Sequence, residues 1–175
     1  MPDTTSLPFK PHDPFWLDIA EDEITHLKIA LGDFISEIHH IGSTAISTIT
    51  AKPIIDLVAS VHNLDQQNEQ QESFKNLGYE HCQTLSSEGR WSAFKLDPET
   101  HKPLFHIHCY SHDDPTIQKY VAFRDYLRLH KDIAAKYQNI KDECQLKHTA
   151  DGSAYKQCKG EWISKWEQEA IKFFN

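Results

Sequence analysis

Asp56 stands in "PIIDLVASV", residues 53 to 61, a β-branched and mostly apolar run that reads as a central strand. A structural strand has no use for a buried carboxylate, so Asp56 points to a ligand. Successive strand side chains alternate faces, which places Ile54, Asp56, Val58 and Ser60 on one side and Ile55, Leu57, Ala59 and Val61 on the other. In "PLFHIHCY", residues 103 to 110, His106 and His108 share one face in the same way. If the two strands are neighbours, both imidazoles meet Asp56. A carboxylate and two imidazoles can hold a divalent ion or move protons. His-x-His alone supplies only two ligands, and its ordinary role is a hydrogen-bonded pair.

A second group of residues suits an anion. The run "HHIGSTAISTITAKP" ends a strand in Gly42-Ser43, where a glycine lets a ligand approach the backbone and the Ser43 hydroxyl can meet a phosphate oxygen. Lys52, Arg90, Arg124 and Arg128 are candidate counter-charges. Arg124 and Arg128, four apart, share a helix face. His39 and His40 end the same strand, and only one of them can point to the Asp56 face, so His40 joins Asp56, His106 and His108 as a candidate metal ligand.

The elements that must position these residues are readable. Asp13-Pro14 opens an amphipathic helix through Trp16, Ile24, Leu27 and Leu31, stopped by Gly32. Strands follow at 34–41 and 53–61. A polar helix after residue 61 ends at Gly78, with Phe74 and Leu77 inward. Strands at 90–96 and 103–110 form a hairpin across "DPETHK". Helical periodicity covers 116 to about 146, interrupted near His130, and a last helix starts near Ser153. The predicted order, α-β-β-α-β-β-α-α-α, is an α+β domain: a mixed sheet covered by helices, with a helical C-terminal part. Residues 1–12 read as a flexible arm and 13–175 as a single domain.

The 175 residues, 39% hydrophobic and 25% charged, suffice for one full core. A net charge of −8 argues against nucleic-acid binding by electrostatics alone. Residues 115 to 147 nevertheless carry seven bases against four acids, a region to which an anionic small molecule is drawn. No apolar run reaches membrane-spanning length and the N-terminal sequence lacks a signal-peptide pattern, so a cytoplasmic location is expected. Cys82, Cys109, Cys144 and Cys158 form no CxxC pair, which predicts reduced, mostly buried thiols.

"HHIGSTAISTITAKPIIDLV", "HIHCY" and "FRDYLRLHKDIAAKYQNIK", with the later Tyr155 and Lys159, resemble the GrpB family of bacterial proteins. The resemblance implies a nucleotidyltransferase-like fold, with Gly42 and Ser43 in a phosphate loop and Tyr155 and Lys159 near the ligand. Enzymes of that fold hold two metal ions on three carboxylates. Here Ile54 occupies the place of the first acid if Asp56 is the second, and His106 and His108 lie on the strand of the third. That set favours zinc, manganese, iron or nickel over magnesium. The chain also carries Ser47-Thr48 where the family commonly has a Pro-Gly turn, and Lys131 where it often has proline.

These residues support a protein that binds a nucleotide or other phosphorylated small molecule and transfers a nucleotidyl or phosphoryl group at a modified metal site holding Mg, Mn or Zn. Two alternatives use the same residues: a non-catalytic phosphate-binding module, and a transition-metal hydrolase built on His40, His106, His108 and Asp56. A protein-interaction module explains the acidic first helix but not the clustered site residues.

Overall fold

The computed structural model describes residues 4, 7–65, 70–83, 86–87, 89–149 and 151–175. Asp13 accepts a hydrogen bond from the Phe15 amide at 3.1 Å and opens helix α1, Phe15–Leu31, which stops at Gly32 with φ +49°. Strands β1 (Ile35–Ile41) and β2 (Ile55–Val61) are antiparallel. A short helix α2 (Gln71–Asn76) turns at Gly78, whose φ is +84°. Residues 66–69 of the longer polar helix expected there lie outside the described residues.

Strand β3 (Tyr79–His81), absent from the expected order, pairs antiparallel with β4 (Arg90–Leu96), which forms the predicted hairpin with β5 (Pro103–Ser111). Three residues are too few to show an alternating pattern, so β3 is defined by its partner. The sheet order is β1-β2-β5-β4-β3, with β2 and β5 parallel at its centre.

One sheet face carries the principal core. Leu57, Ala59, Trp91, Ala93, Ile107 and Cys109 pack there against Trp16, Ala20, Leu27 and Leu31 of α1. Burying each large side chain contributes roughly 1.5–3 kcal/mol. On the other face an apolar cluster forms at one end, where Ile41, Val58 and Tyr110 meet Ile117 of helix α3 (Pro115–Leu129). The rest of that face carries polar groups and stays open.

Helix α3 is capped by Asp114, whose carboxylate accepts from the Thr116 amide at 2.8 Å. The chain breaks at His130 (φ −110°, ψ 82°) and resumes as α4, Lys131–Lys147. The break therefore forms with lysine at 131. Asp151 caps α5, Gly152–Phe174. Tyr137 of α4 stacks on Trp162 of α5, in a second core with Ile46, Ile49, Leu127 and Ile133. No helix is long and apolar enough to cross a membrane among the described residues.

One expectation about cysteine is corrected. Cys144 and Cys158 form a disulfide between α4 and α5, while Cys82 and Cys109 are buried thiols outside any disulfide. The turn after α4 returns α5 alongside it and brings the two Cα atoms to 5.8 Å, a proximity that spacing alone does not encode. Of residues 1–12, Lys10 pairs with Ala51 through 2.8 and 3.0 Å backbone hydrogen bonds, which seats this part of the arm on the β1–β2 connection.

Candidate functional site

The register of the central strands assembles the site. Asp56 lies opposite His106 and Val58 opposite His108 across β2 and β5, and Phe94, Ser92 and Arg90 of β4 continue the same face. The alternation argument thus places Asp56, His106 and His108 together. His106 Nδ1 is 3.2 Å from Asp56 Oδ1, and His108 Nδ1 is 2.8 Å from Ser92 Oγ.

These groups floor a cavity of about 810 Å³. Gly42, Ser43 and Lys52 line it from the β1–β2 connection, and Tyr155, Lys156 and Lys159 from α5. Phe9, Tyr120, Phe123 and Tyr137 supply aromatic walls. Gly42 adopts φ +74°, ψ −171°, a conformation essentially reserved for glycine, and starts a 3₁₀ turn over Ser43–Ala45.

Electrostatics in the cavity favour an anion. Four cations line it, Lys52, Arg90, Lys156 and Lys159, against two acids, Asp56 and Glu167. The Arg90 Nε is buried without a hydrogen-bond partner among the described residues. Lys52 Nζ donates to the Thr4 carbonyl at 2.8 Å and sits 5.2 Å from the Tyr155 ring centroid. Burial pushes the Glu167 carboxyl above its ordinary range, against the pull of Lys119. Burial also works to raise Asp56, but the hydrogen bond and charge of His106, helped by His108 and Lys159, hold it below the usual carboxylate range. Burial keeps His108 neutral, lowering its pKa to about 4 although Asp56 opposes the shift.

Three expected site residues lie elsewhere. His40 pairs with Leu57 in the register and so faces away from Asp56. Its Nε2 is 2.9 Å from Thr44 Oγ1, and burial lowers its pKa to about 4. Arg124 donates to the His40 carbonyl at 2.9 Å and Arg128 to the Ala45 carbonyl at 2.8 Å, while both also hydrogen-bond Asp125. The two arginines tie α3 to the end of β1 and the turn after Gly42 from behind, and neither lines the cavity. Spacing placed them on one helix face, and that face is used to hold the loop.

The four side chains expected to hold a divalent ion do not converge, because His40 is on the opposite face. Among the described residues no group of three or more His, Cys, Asp or Glu is placed to hold a metal ion. Ile54 offers no ligand atom, and the Nδ1 atoms of His106 and His108 already have partners. This donor set does not fit a two-metal centre.

Residues that sequence reasoning missed include Lys156, Tyr120 and Glu167 in the cavity wall, and Lys141 behind Ser43. Lys141 was readable only as one base among seven in its region and as the last residue of the family-like block.

The GrpB protein family matches residues 7–169. The chain belongs to the GrpB family. Its fold is that of the crystal structure of conserved protein GrpB from Enterococcus faecalis, with a TM-score of 0.84 and 32% identity over 95% of this chain and 99% of that one. That mixed sheet with a helical C-terminal part is consistent with the nucleotidyltransferase-like superfamily. The chain is also similar to the UPF0157 protein YqkA of Bacillus subtilis, 35% identical over 158 residues. That match covers 90% of this chain but only 45% of YqkA, so the chain spans less than half the length of that relative. It is 27% identical to the glutamate-rich protein GrpB of Alkalihalophilus pseudofirmus, over 87% of this chain and 88% of the relative.

Proposed function

We propose that the cavity binds a nucleotide or other phosphorylated small molecule, its phosphates at the Gly42–Ser43 loop and its flat or apolar part among the aromatic walls. The observation that carries this reading is Arg90, whose Nε is buried with no hydrogen-bond partner among the described residues and whose side chain lines the same cavity as Gly42, Ser43, Lys156 and Lys159. An unpaired buried donor is costly, and an anionic oxygen is the group that relieves it. Aromatic rings beside cations suit a nucleobase or similar ring. Binding in this form needs no divalent ion.

A thermal-shift series with nucleoside mono-, di- and triphosphates and sugar phosphates, with and without Mg²⁺, Mn²⁺ or Zn²⁺, tests it. A ligand at about 100 times its Kd adds ~2.7 kcal/mol. For a chain of this size that is an upward shift of about 5–11 °C. No shift with any phosphate compound overturns the reading.

One observation favours a transfer step in the same pocket. His106 Nδ1 meets Asp56, and His106 Nε2 is buried with no partner among the described residues. With Nδ1–H donating to Asp56, Nε2 carries the lone pair, and it takes a proton from an attacking hydroxyl once ligand binding opens it to the cavity. Under this second reading Asp56→Asn removes turnover of the identified ligand while leaving its binding within a few-fold. Binding without turnover in the wild type leaves the binding-module reading alone.

A further inference from the structure

Lys141 on α4 is 1% exposed, and its ammonium has been placed where a lysine is rarely found. Its Nζ lies 3.4 Å from Ser43 Oγ and donates to the Thr50 carbonyl, so one cation touches both ends of the loop that begins at Gly42. The rings of Phe9 and Tyr137 approach it at 5.3 and 5.2 Å. The ion pairs within α4 are Lys136 with Asp132 and Lys147 with Glu143, both on the exposed side. No carboxylate pairs with Lys141 among the described residues.

The groups facing Lys141 are known from each packed element. The arm contributes Phe9, the loop Ser43 and Thr50, α4 its own Tyr137 and Asp142, and α5 Lys159. Burial and the charge of Lys159 push Lys141 down to about 7, with Asp142 opposing. A buried cation whose strongest charged influence is another cation is costly, and either loses its proton or gains an anion. Of its two hydrogen-bond partners, Ser43 and Thr50, Ser43 also lines the cavity.

We propose that Lys141 is a positioning residue whose counter-ion is the ligand itself: a dianionic group, phosphoryl or its equivalent, bound at Ser43 completes its ion pair, so that binding and protonation of Lys141 are coupled. The proposal rests on the anion-pocket reading and adds the residue that senses the charge. In the free protein near neutral pH Lys141 is partly deprotonated. The bound anion raises its proton affinity, so a proton is taken up on binding and affinity falls as pH rises above about 7.

Calorimetric titration of the full chain with inorganic sulfate, a dianion whose own charge is constant across the range, provides the test. Wild-type affinity falls on the order of tenfold between about pH 7 and about pH 8.5, and comparison of buffers with different ionisation enthalpies reads proton uptake approaching one. Lys141→Arg keeps the charge at every pH, so it retains binding and loses the pH slope. Lys141→Met binds weakly throughout and is also flat. A wild-type affinity independent of pH, or a slope that persists in Lys141→Arg, overturns the coupling while leaving the anion pocket standing. No binding of sulfate or of any phosphate compound at any pH removes the anion pocket and the coupling together.

Discussion

Gly42 and Asp56 meet without room for another atom: a Cβ on Gly42 would lie 2.6 Å from Asp56 Oδ2 and 3.1 Å from Asp56 Cβ. Glycine at this position serves the backbone and the site together, because its φ of +74° also excludes ordinary side chains. Gly42→Ala therefore costs roughly 1–3 kcal/mol of stability from the backbone alone, and more from the collision. Asp56→Ala in the same chain removes the colliding Oδ2 and Cγ but keeps the Cβ at 3.1 Å, so it recovers the larger share of the steric part and none of the backbone part. Urea unfolding of the two single variants and the double variant measures both.

Two histidines held neutral, His40 buried and His108 partly buried at the cavity floor, predict the acid limb of stability. His40 and His108 have pKa values lowered to about 4, whereas in the unfolded chain they titrate near the ordinary value of 6.5. Between those values the unfolded state binds protons that the folded state does not, so stability is full above about pH 6.5 and falls as pH drops toward about 4. The loss is on the order of 3 kcal/mol per histidine. Unfolding free energies measured across this window, in the wild type and in His40→Gln, check it: the variant has a flatter profile.

Arg124 and Arg90 separate holding the loop from holding the ligand. Arg124 bonds the His40 carbonyl and Asp125 at 2.8–2.9 Å, and Arg124→Ala is expected to cost about 2 kcal/mol of stability with anion affinity changed less than about tenfold. Arg90→Ala is expected to show the reverse pattern, losing about tenfold or more in affinity with little change in stability, since its Nε has no hydrogen-bond partner among the described residues. Paired melting and titration curves distinguish them.

The Cys144–Cys158 bond joins the two helices that supply Tyr137, Tyr155, Lys156 and Lys159 to the cavity. Its residues are 14 apart, and closing a loop of that length restricts the unfolded chain by about 3 kcal/mol. Reductant is expected to lower Tm in the wild type and to leave Cys158→Ser unchanged.

Much of this arrangement is legible in the sequence because strands impose a period of two. Counting puts His106 and His108 on one face of their strand, and Asp56 joins them through the parallel pairing of β2 with β5; the hairpin that carries the histidines is marked by its Asp-Pro turn. Helical positions were legible only in part. The spacing of Arg124 and Arg128 gives a shared face but not the direction in which α3 presents it, which depends on how α3 packs on β1 and β2. A strand's facing pair is fixed by register, yet which of His39 and His40 shares the Asp56 face required the actual pairing of His40 with Leu57. Lys141 was hidden for a different reason: lysine is ordinarily exposed, and its burial arises from Phe9, Ser43 and Thr50, which come from the other end of the chain. The disulfide was hidden likewise, since its two cysteines meet only through the turn between α4 and α5.

The most direct measurement is a calorimetric titration of the metal-free protein with a nucleoside triphosphate, repeated with Arg90→Ala. One saturable site per chain, weakened at least about tenfold by the substitution and by rising salt, is the result that an anion pocket built on Arg90 and the Gly42–Ser43 loop requires. An absence of binding, or binding that Arg90→Ala leaves untouched, contradicts it.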